Sequence, residues 1–305
     1  MTITAPPAPR PSPGPSAPLR SLDGSGVSRS RRLRNGLATA LIYGAILVAA
    51  VPLAFVLYYV VRKGATVFGL EFLTEDIPTS SRRPGPGMGP AVVGTILITG
   101  AATLMAVPLG ILAAVYLNEY GRNNRLAGAI RFLSDVMAGV PSIVMGLFIY
   151  TVWVLRFGPS GFAGSLALAC LMLPIVIRST EAVLRLVPRE LREASTALGA
   201  RNSRTILTVV IPAALPGITS GCLLAVARAA GETAPLLFTI GTARRINTSL
   251  LEGTNTALSA QIFRNAQFPF PGAQDRAWGA ALTLILLVVL LTLIARVISA
   301  RFTVR

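Results

Sequence analysis

Histidine is absent from this 305-residue sequence, lysine occurs once and cysteine twice. Without histidine no Ser-His-Asp triad can be assembled, and two widely separated cysteines, Cys170 and Cys222, offer no His/Cys metal site. Both cysteines lie in apolar stretches, where a thiol behaves as a small hydrophobe, so no disulfide framework is expected. The sole lysine, Lys63, follows Val61 and Arg62 and not the glycine of a G-x-x-x-x-G-K-S/T loop. Hydrolysis of a nucleotide by the usual phosphate-binding loop is thereby excluded, and the chain reads as non-enzymatic.

Charge is also scarce. Charged residues make up 13% of the chain, against about 25% in soluble domains, while 53% are hydrophobic. The charges are segregated, leaving several nearly uncharged runs of roughly 20 residues, each long enough to cross ~30 Å of hydrocarbon. The expected fold class is all-α, a polytopic membrane protein with six transmembrane helices. A formal charge of +16 suggests nucleic-acid binding in a soluble module, but here the arginines flank apolar runs.

Residues 1–36 form a basic tail whose Pro, Ser, Ala and Gly content is too poor in large apolar groups to offset ordering, and we expect it to be disordered and cytoplasmic. The apolar run 37–61 exceeds the ~7 to 15 residues of a signal-peptide core and lacks a small-residue cleavage site, so it reads as an uncleaved first span. An external loop, 62–90, precedes a core at 91–301, followed by a short tail at 302–305. Within the core the expected spans are Ala91–Leu117, Phe132–Leu155, Phe162–Val176, Ile206–Ala230 and Trp278–Ile298. Pro174 falls near the end of the short fourth span. With the amino terminus inside, eighteen Lys and Arg fall on the cytoplasmic side and nine on the other, and both termini are cytoplasmic.

The loop 178–206 is patterned. Pro188 suits the first turn of a helix and Gly199 its left-handed stop. Between them Leu191, Ala194, Ser195 and Leu198 recur at i, i+3, i+4 and i+7 on one face, with Arg189, Arg192, Glu193 and Thr196 elsewhere. Such a helix can lie in the lipid interface or insert into a protein groove. Small residues on the stripe and the lack of Trp or Phe favour the groove.

Charged residues in or beside apolar spans are the candidates for a pathway, since burying them demands partners or water. Arg228 and Glu232 stand at i, i+4 and can meet if the helix extends that far, and Arg178 ends the fourth span. An arginine at a span end also snorkels to the interface, so both readings stand. Guanidinium matches phosphate oxygens, but also sulfate and carboxylate. Asp135 is expected at the interface. Pro108, Pro141, Pro174, Pro212 and Pro216 interrupt spans, Gly217-x-x-x-Gly221 is a weak motif for close helix approach, and 241–276 reads as an external loop that either meets a binding protein or only connects.

Glu193-Ala194-Ser195, three residues, Gly199, nine residues, then Val209-Val210-Ile211-Pro212 resembles the EAA loop of ABC importer permeases, with Ser195, Val209 and Ile211 as conservative departures. Ala227-Arg228-Ala229-Ala230-Gly231-Glu232-Thr233-Ala234-Pro235-Leu236-Leu237 resembles the A-R-x-x-G-E-T-A-P-L-L signature of PstA-type phosphate permeases, whereas molybdate and sulfate permeases keep an R-x-x-G-E core. Tyr116–Gly121, Ala138–Phe148 and Leu173–Thr180 are similar to the same family, from about Val92 to Arg301. The resemblance implies a type I ABC importer permease architecture with a cytoplasmic coupling helix, in which Arg189, Leu191, Glu193, Ala194, Leu198 and Gly199 couple to an ATPase. It implies a substrate pathway through Arg178, Arg228, Glu232 and Thr233. Implied partners are a homologous PstC-like permease, two PstB-like ATPases that hold ATP and Mg, a PstS-like external binding protein, phosphate and membrane lipid, with no cofactor on this chain. Another oxyanion, sulfate or molybdate, or a non-transporting adaptor that docks an ATPase, are the alternatives.

Overall fold

The computed structural model describes residues 29–82, 85, 87–121 and 124–302, without side chains at 295 and 298–302. The expectation of disorder at 1–28 lies outside them. Among the described residues every regular element is helical. The chain divides into two units, one ending at Phe55 and the other starting at Val56. Helix α1 (Arg29–Gly64) begins in the first unit, where Leu41, Ile46 and Phe55 are exposed apolar residues.

In the second unit the last turn of α1 docks, with Val60 buried and Gly64 so close to α13 (Pro271–Phe302) that an added Cβ would lie 2.8 Å from the Trp278 carbonyl oxygen. A short α2 (Leu70–Thr74) leads to α3 (Gly89–Val115), which continues through a π-helical turn at Tyr116–Tyr120. Helices α4 (Arg125–Gly139) and α5 (Ser142–Ile149) follow, then a second π turn at Tyr150–Val154 and the single turn α6 (Leu155–Phe157). Next come α7 (Gly161–Leu186), α8 (Arg189–Ala197), α9 (Asn202–Thr205), a third π turn at Ile206–Val210 and α10 (Ile211–Gly231). Short α11 (Ala234–Thr239) and α12 (Leu258–Ala266) precede α13.

Among the described residues five helices are long and apolar enough to cross a membrane, and a sixth crossing arises if the pair α4 and α5–α6, bent by 104°, counts as one. The straight third span expected from sequence is therefore broken. The break falls at Val140-Pro141, where proline excludes the preceding residue from helical conformation and lacks an N–H to donate. The fourth span differs in the other direction. Pro174 does not end it: α7 runs to Leu186, and the residues assigned to the start of the coupling loop, including Arg178, are helical.

Helices α3, α7 and α10 make the heart of the bundle. Ile98, Ala102, Ala106, Leu168, Met172, Val176, Ala225 and Ala229 are buried there, and the alanines keep the axes close. Gly110 leaves room for Val176, Gly217 for Val183 and Gly221 for Ser179. The small-residue pair Gly217 and Gly221 thus serves packing within this chain, against α7. At the end of the bundle where α7 starts, Phe72, Met88, Ala91, Leu258 and Ala280 form a second core that buries α12 between α3 and α13. The segment 241–276 is accordingly a packed element with its own apolar contacts.

Candidate functional site

Three constellations of charge are built on this frame. The first lies between α4 and α7. Glu181 is 2% exposed, and its carboxylate accepts from Arg131 Nε at 2.8 Å and from Arg185 Nη2 at 2.6 Å, with Arg178 Nη1 at 3.5 Å. Arg178 also pairs with Asp135, and Arg131 donates to the Leu117 carbonyl at 2.8 Å. On α7 the residues Arg178, Glu181 and Arg185 share one face by their i, i+3, i+7 spacing, and on α4 Arg131 and Asp135 do so by i, i+4. A carboxylate buried this completely is retained only if paired, and three guanidiniums pair it. Arg178 is therefore part of a structural charge ladder as well as a candidate for the pathway. Glu181 and Arg131 were not singled out from sequence, although Glu181 and Arg185 at i, i+4 gave a signal.

The second constellation is the break between α10 and α11. Asn202–Gly231 runs as one continuous helical span, so Pro212 and Pro216 do not break it, and a wide π turn ends just before Pro212. The helix ends at Gly231, and Glu232 turns to extended backbone at φ −66°, ψ 131°. Arg228 and Glu232 nonetheless come within 3.7 Å, although the helix that the i, i+4 expectation required stops one residue short of Glu232. Arg228 is 68% exposed at its side chain and Glu232 19%, so the cation is presented and the anion tucked behind it. Ser259 of α12 donates its hydroxyl to the Glu232 carbonyl at 2.8 Å, and the Thr233 carbonyl accepts from Leu236 and Leu237, starting α11. The break is thus held by backbone satisfaction on both sides.

Arg178 and Arg228 are not brought together. Ser179 packs on Gly221, and Arg228 stands seven residues beyond Gly221, ~10 Å farther along the helix at ~1.5 Å per residue. Arg228 lies toward the end where α7 starts, and Arg178 toward the end that carries α8.

The third constellation is α8. Pro188 stands just before it, Gly199 takes φ +82° just after it, and the N–H groups of Gly199 and Ala200 close the last turn on Thr196 and Ser195. Leu191, Ala194 and Leu198 are exposed, Leu198 by 90%, giving an uncovered apolar face. Ser195, expected on that stripe, is instead turned into the chain, its hydroxyl 2.9 Å from that of Thr205. Arg189 and Glu193 are exposed. Arg192 faces inward and ties three elements together: it donates to the Leu184 and Val187 carbonyls at 3.0 and 2.6 Å, capping α7, and pairs with Glu119 of the first π turn at 3.0 Å. Arg192 thereby bonds α8 to the end of α7 and to the π turn that follows α3.

Comparison with known proteins agrees with this architecture. Residues 106–304 match the family described as binding-protein-dependent transport system inner membrane component. The phosphate transport system permease protein PstA 1 of Mycobacterium tuberculosis (strain CDC 1551 / Oshkosh) is 42% identical over 88% of this chain and 89% of its own length. The phosphate transport system permease protein PstA of Yersinia pestis is 43% identical over 89% of this chain and 92% of its own length. Among solved structures, a methionine ABC transporter in an inward-facing conformation aligns at TM-score 0.56 and 19% identity over 71% of this chain and 94% of its own. A bacterial alginate ABC transporter aligns at 0.60 and 14% over 88% and 96%. At those identities the two structures speak to the fold, that of type I ABC importer permeases. The match across the helical core and the near full-length similarity to curated relatives make this chain a member of the binding-protein-dependent transport system inner membrane components, in their PstA family of permease proteins.

Proposed function

We propose that the chain is the permease subunit of an ATP-driven phosphate importer, forming half of a translocation pathway and working with a homologous permease, two ATPase subunits and an external binding protein. The observation that carries the reading is the presentation of Arg228 at a helix break, backed by Glu232, in a chain whose nearly full-length relatives are phosphate transport permease proteins. A guanidinium offers phosphate a planar donor fork, and Glu232 accepts from a protonated phosphate while repelling a fully ionised anion. Both termini and α8 lie on the cytoplasmic side by the arginine and lysine distribution, and the α10–α11 break faces outward. ATP and Mg belong to the ATPases, and this chain holds no cofactor.

Coupling runs through α8. Its apolar face, Leu191, Ala194 and Leu198, enters a groove on an ATPase, with Arg189 and Glu193 at the rim and Gly199 fixing the exit. Closure of the two ATPases shifts α8, and the Arg192 links pass that shift to α7 and, through Glu119, to α3. Alternating access then follows from movement of a packed bundle and not from a loop.

Radiolabelled phosphate uptake in cells lacking the chain tests the reading: the wild-type chain restores it, with a smaller effect on sulfate or molybdate. Unchanged phosphate uptake, or a larger effect on another oxyanion, overturns it. Docking has its own test. Gly199→Val forces a β-branched residue into φ +82°, at ~1 to 3 kcal/mol, and capture of the ATPase by the permease in detergent is expected to fall about tenfold. Full capture with full uptake would remove α8 as the docking element, and an adaptor without transport would show capture and no uptake.

A further inference from the structure

The end of the bundle opposite α8 holds a cavity of about 360 Å³, lined by polar and apolar side chains alike, that neither the sequence motifs nor the coupling scheme explain. Its place follows from the start of α7: Gly161 donates its N–H to the Asn255 side chain and Phe162 its N–H to the Leu250 carbonyl, which fixes the 241–257 segment there. Three arginines from three elements line the cavity. Arg244 comes from the segment after α11, Arg264 from α12 and Arg276 from the first turns of α13.

They form a gradient from rim to floor. Arg244 is exposed, Arg264 half-buried and Arg276 only 2% exposed. Each is positioned through a main-chain carbonyl: Arg244 on Thr79 at 2.6 Å, Arg264 on Gly241 at 3.1 Å and Arg276 on Ser81 at 3.2 Å. Among the described residues neither Arg244 nor Arg264 pairs with a carboxylate, and Asp76 instead accepts from the Ile246 N–H. Buried Gln261 and Asn265 bring amide groups to the same wall, held by a Gln261 bond to Thr256 at 2.9 Å and an Asn265 bond to Gln261 at 3.3 Å. Burial pushes the Arg264 guanidinium below its ordinary value, so the charge is held there at a cost that an anion would offset.

Like charges gathered in a partly enclosed space repel, and carbonyl oxygens relieve this less than a full negative charge does. A chain of ordinary surface arginines would spread them into solvent. Here the 241–257 segment, α12 and α13 aim them into one volume that admits a tetrahedral anion with a few waters, and the planar donor forks match its oxygens.

We propose that this cavity is an outer vestibule site for a tetrahedral oxyanion, inorganic phosphate, held by Arg244, Arg264 and Arg276 before it reaches Arg228. The inference rests on the phosphate-permease reading for its orientation and its ligand. The vestibule catches the anion released at the external face and raises its local concentration at the mouth, while the solvent-exposed rim at Arg244 keeps the hold weak enough to let it go.

Membranes carrying the full chain with its partner subunits are treated with phenylglyoxal, which modifies guanidinium groups, and each arginine is followed by peptide mass mapping. Millimolar inorganic phosphate is expected to slow modification of Arg244 and Arg264 at least about threefold relative to potassium chloride of equal ionic strength, as site occupancy requires. Arginines on α8 serve as the internal reference and are expected to be unaffected. In Arg264→Gln the protection of Arg244 should fall by at least half, and the wild-type comparison stands by itself should that variant not accumulate. Equal modification in phosphate and chloride, or protection by the substrate-free binding protein and not by phosphate, overturns the site. Lack of protection in membranes from cells whose phosphate uptake does depend on the chain defeats the vestibule alone, whereas uptake independent of the chain defeats the transport reading.

Discussion

Arg228→Ala is expected to lower phosphate uptake to the level of cells lacking the chain, while membrane abundance and capture of the ATPase stay near wild type. The side chain is 68% exposed at the α10–α11 break and supports no buried packing, so its removal leaves the fold intact. What it removes is the cation 3.7 Å from Glu232, leaving that 19%-exposed carboxylate to repel an approaching anion. A hydrogen bond from this guanidinium to the charged substrate is worth about 1.5 to 3 kcal/mol, a factor of ~10 or more in the rate that depends on it. Arg228→Lys retains charge but loses the fork, and an intermediate rate is expected. Initial uptake rates normalised to membrane content decide the matter. A rate for Arg228→Ala within about twofold of wild type would assign this arginine to the lipid or solvent boundary.

The second large effect concerns Glu181. Glu181→Ala leaves Arg131, Arg178 and Arg185 without their shared carboxylate, and since these arginines keep some access to solvent the loss is that of charge-assisted hydrogen bonds, about 1.5 to 3 kcal/mol. Against a total stability of about 5 to 15 kcal/mol, that is a large share of the margin, and the melting temperature is expected to fall by several degrees. Thermal melting of the purified chain in detergent, read beside membrane abundance, is the measurement. Glu181→Gln keeps an oxygen for the arginine N–H groups and is expected to melt between wild type and alanine. Asp135→Asn is expected to be mild, because the Asp135 side chain is 60% exposed and its partner Arg178 retains Glu181. A Glu181→Ala melt indistinguishable from wild type would mean that water and carbonyls already satisfy these arginines.

The two variants separate charge that carries function from charge that carries structure, a distinction the sequence blurred. Arg178 and Arg228 looked alike there, each an arginine at the end of an apolar run. In the fold Arg178 sits within α7 because Pro174 fails to stop that helix, with Val176 and Ile177 beyond it buried. Arg228 stands at a real helix end. Proline was likewise ambiguous: Pro141 breaks a span, while Pro174, Pro212 and Pro216 are carried within helices. Membrane helices tolerate proline because neighbouring helices, hydroxyl side chains and wide turns can satisfy the freed carbonyls, and no local signal announces which case applies.

Helix α8 was legible almost to the residue. Its stop at Gly199, its exposed Leu191 and Leu198 and its single-faced stripe are local properties, fixed by backbone conformation and by the 3.6-residue period. The inward turn of Ser195 and the cap supplied by Arg192 were not legible, since both depend on what lies behind the helix.

The sequence by itself determined that this chain crosses a membrane several times, carries no phosphate-binding loop of its own and exposes a short amphipathic helix between two spans. Those conclusions follow from run length, composition and residue order, which act locally. Tertiary structure alone decided where the charges go. Arg131 reaches Glu181 across 50 residues, Arg192 reaches Glu119 across 73, and the arginines of the outer cavity find carbonyls as far as 195 residues away. Electrostatic and hydrogen-bond partners are chosen by proximity in the folded bundle, and proximity is set by how small residues such as Gly110, Gly217 and Gly221 let helices approach. No periodicity along the chain records it.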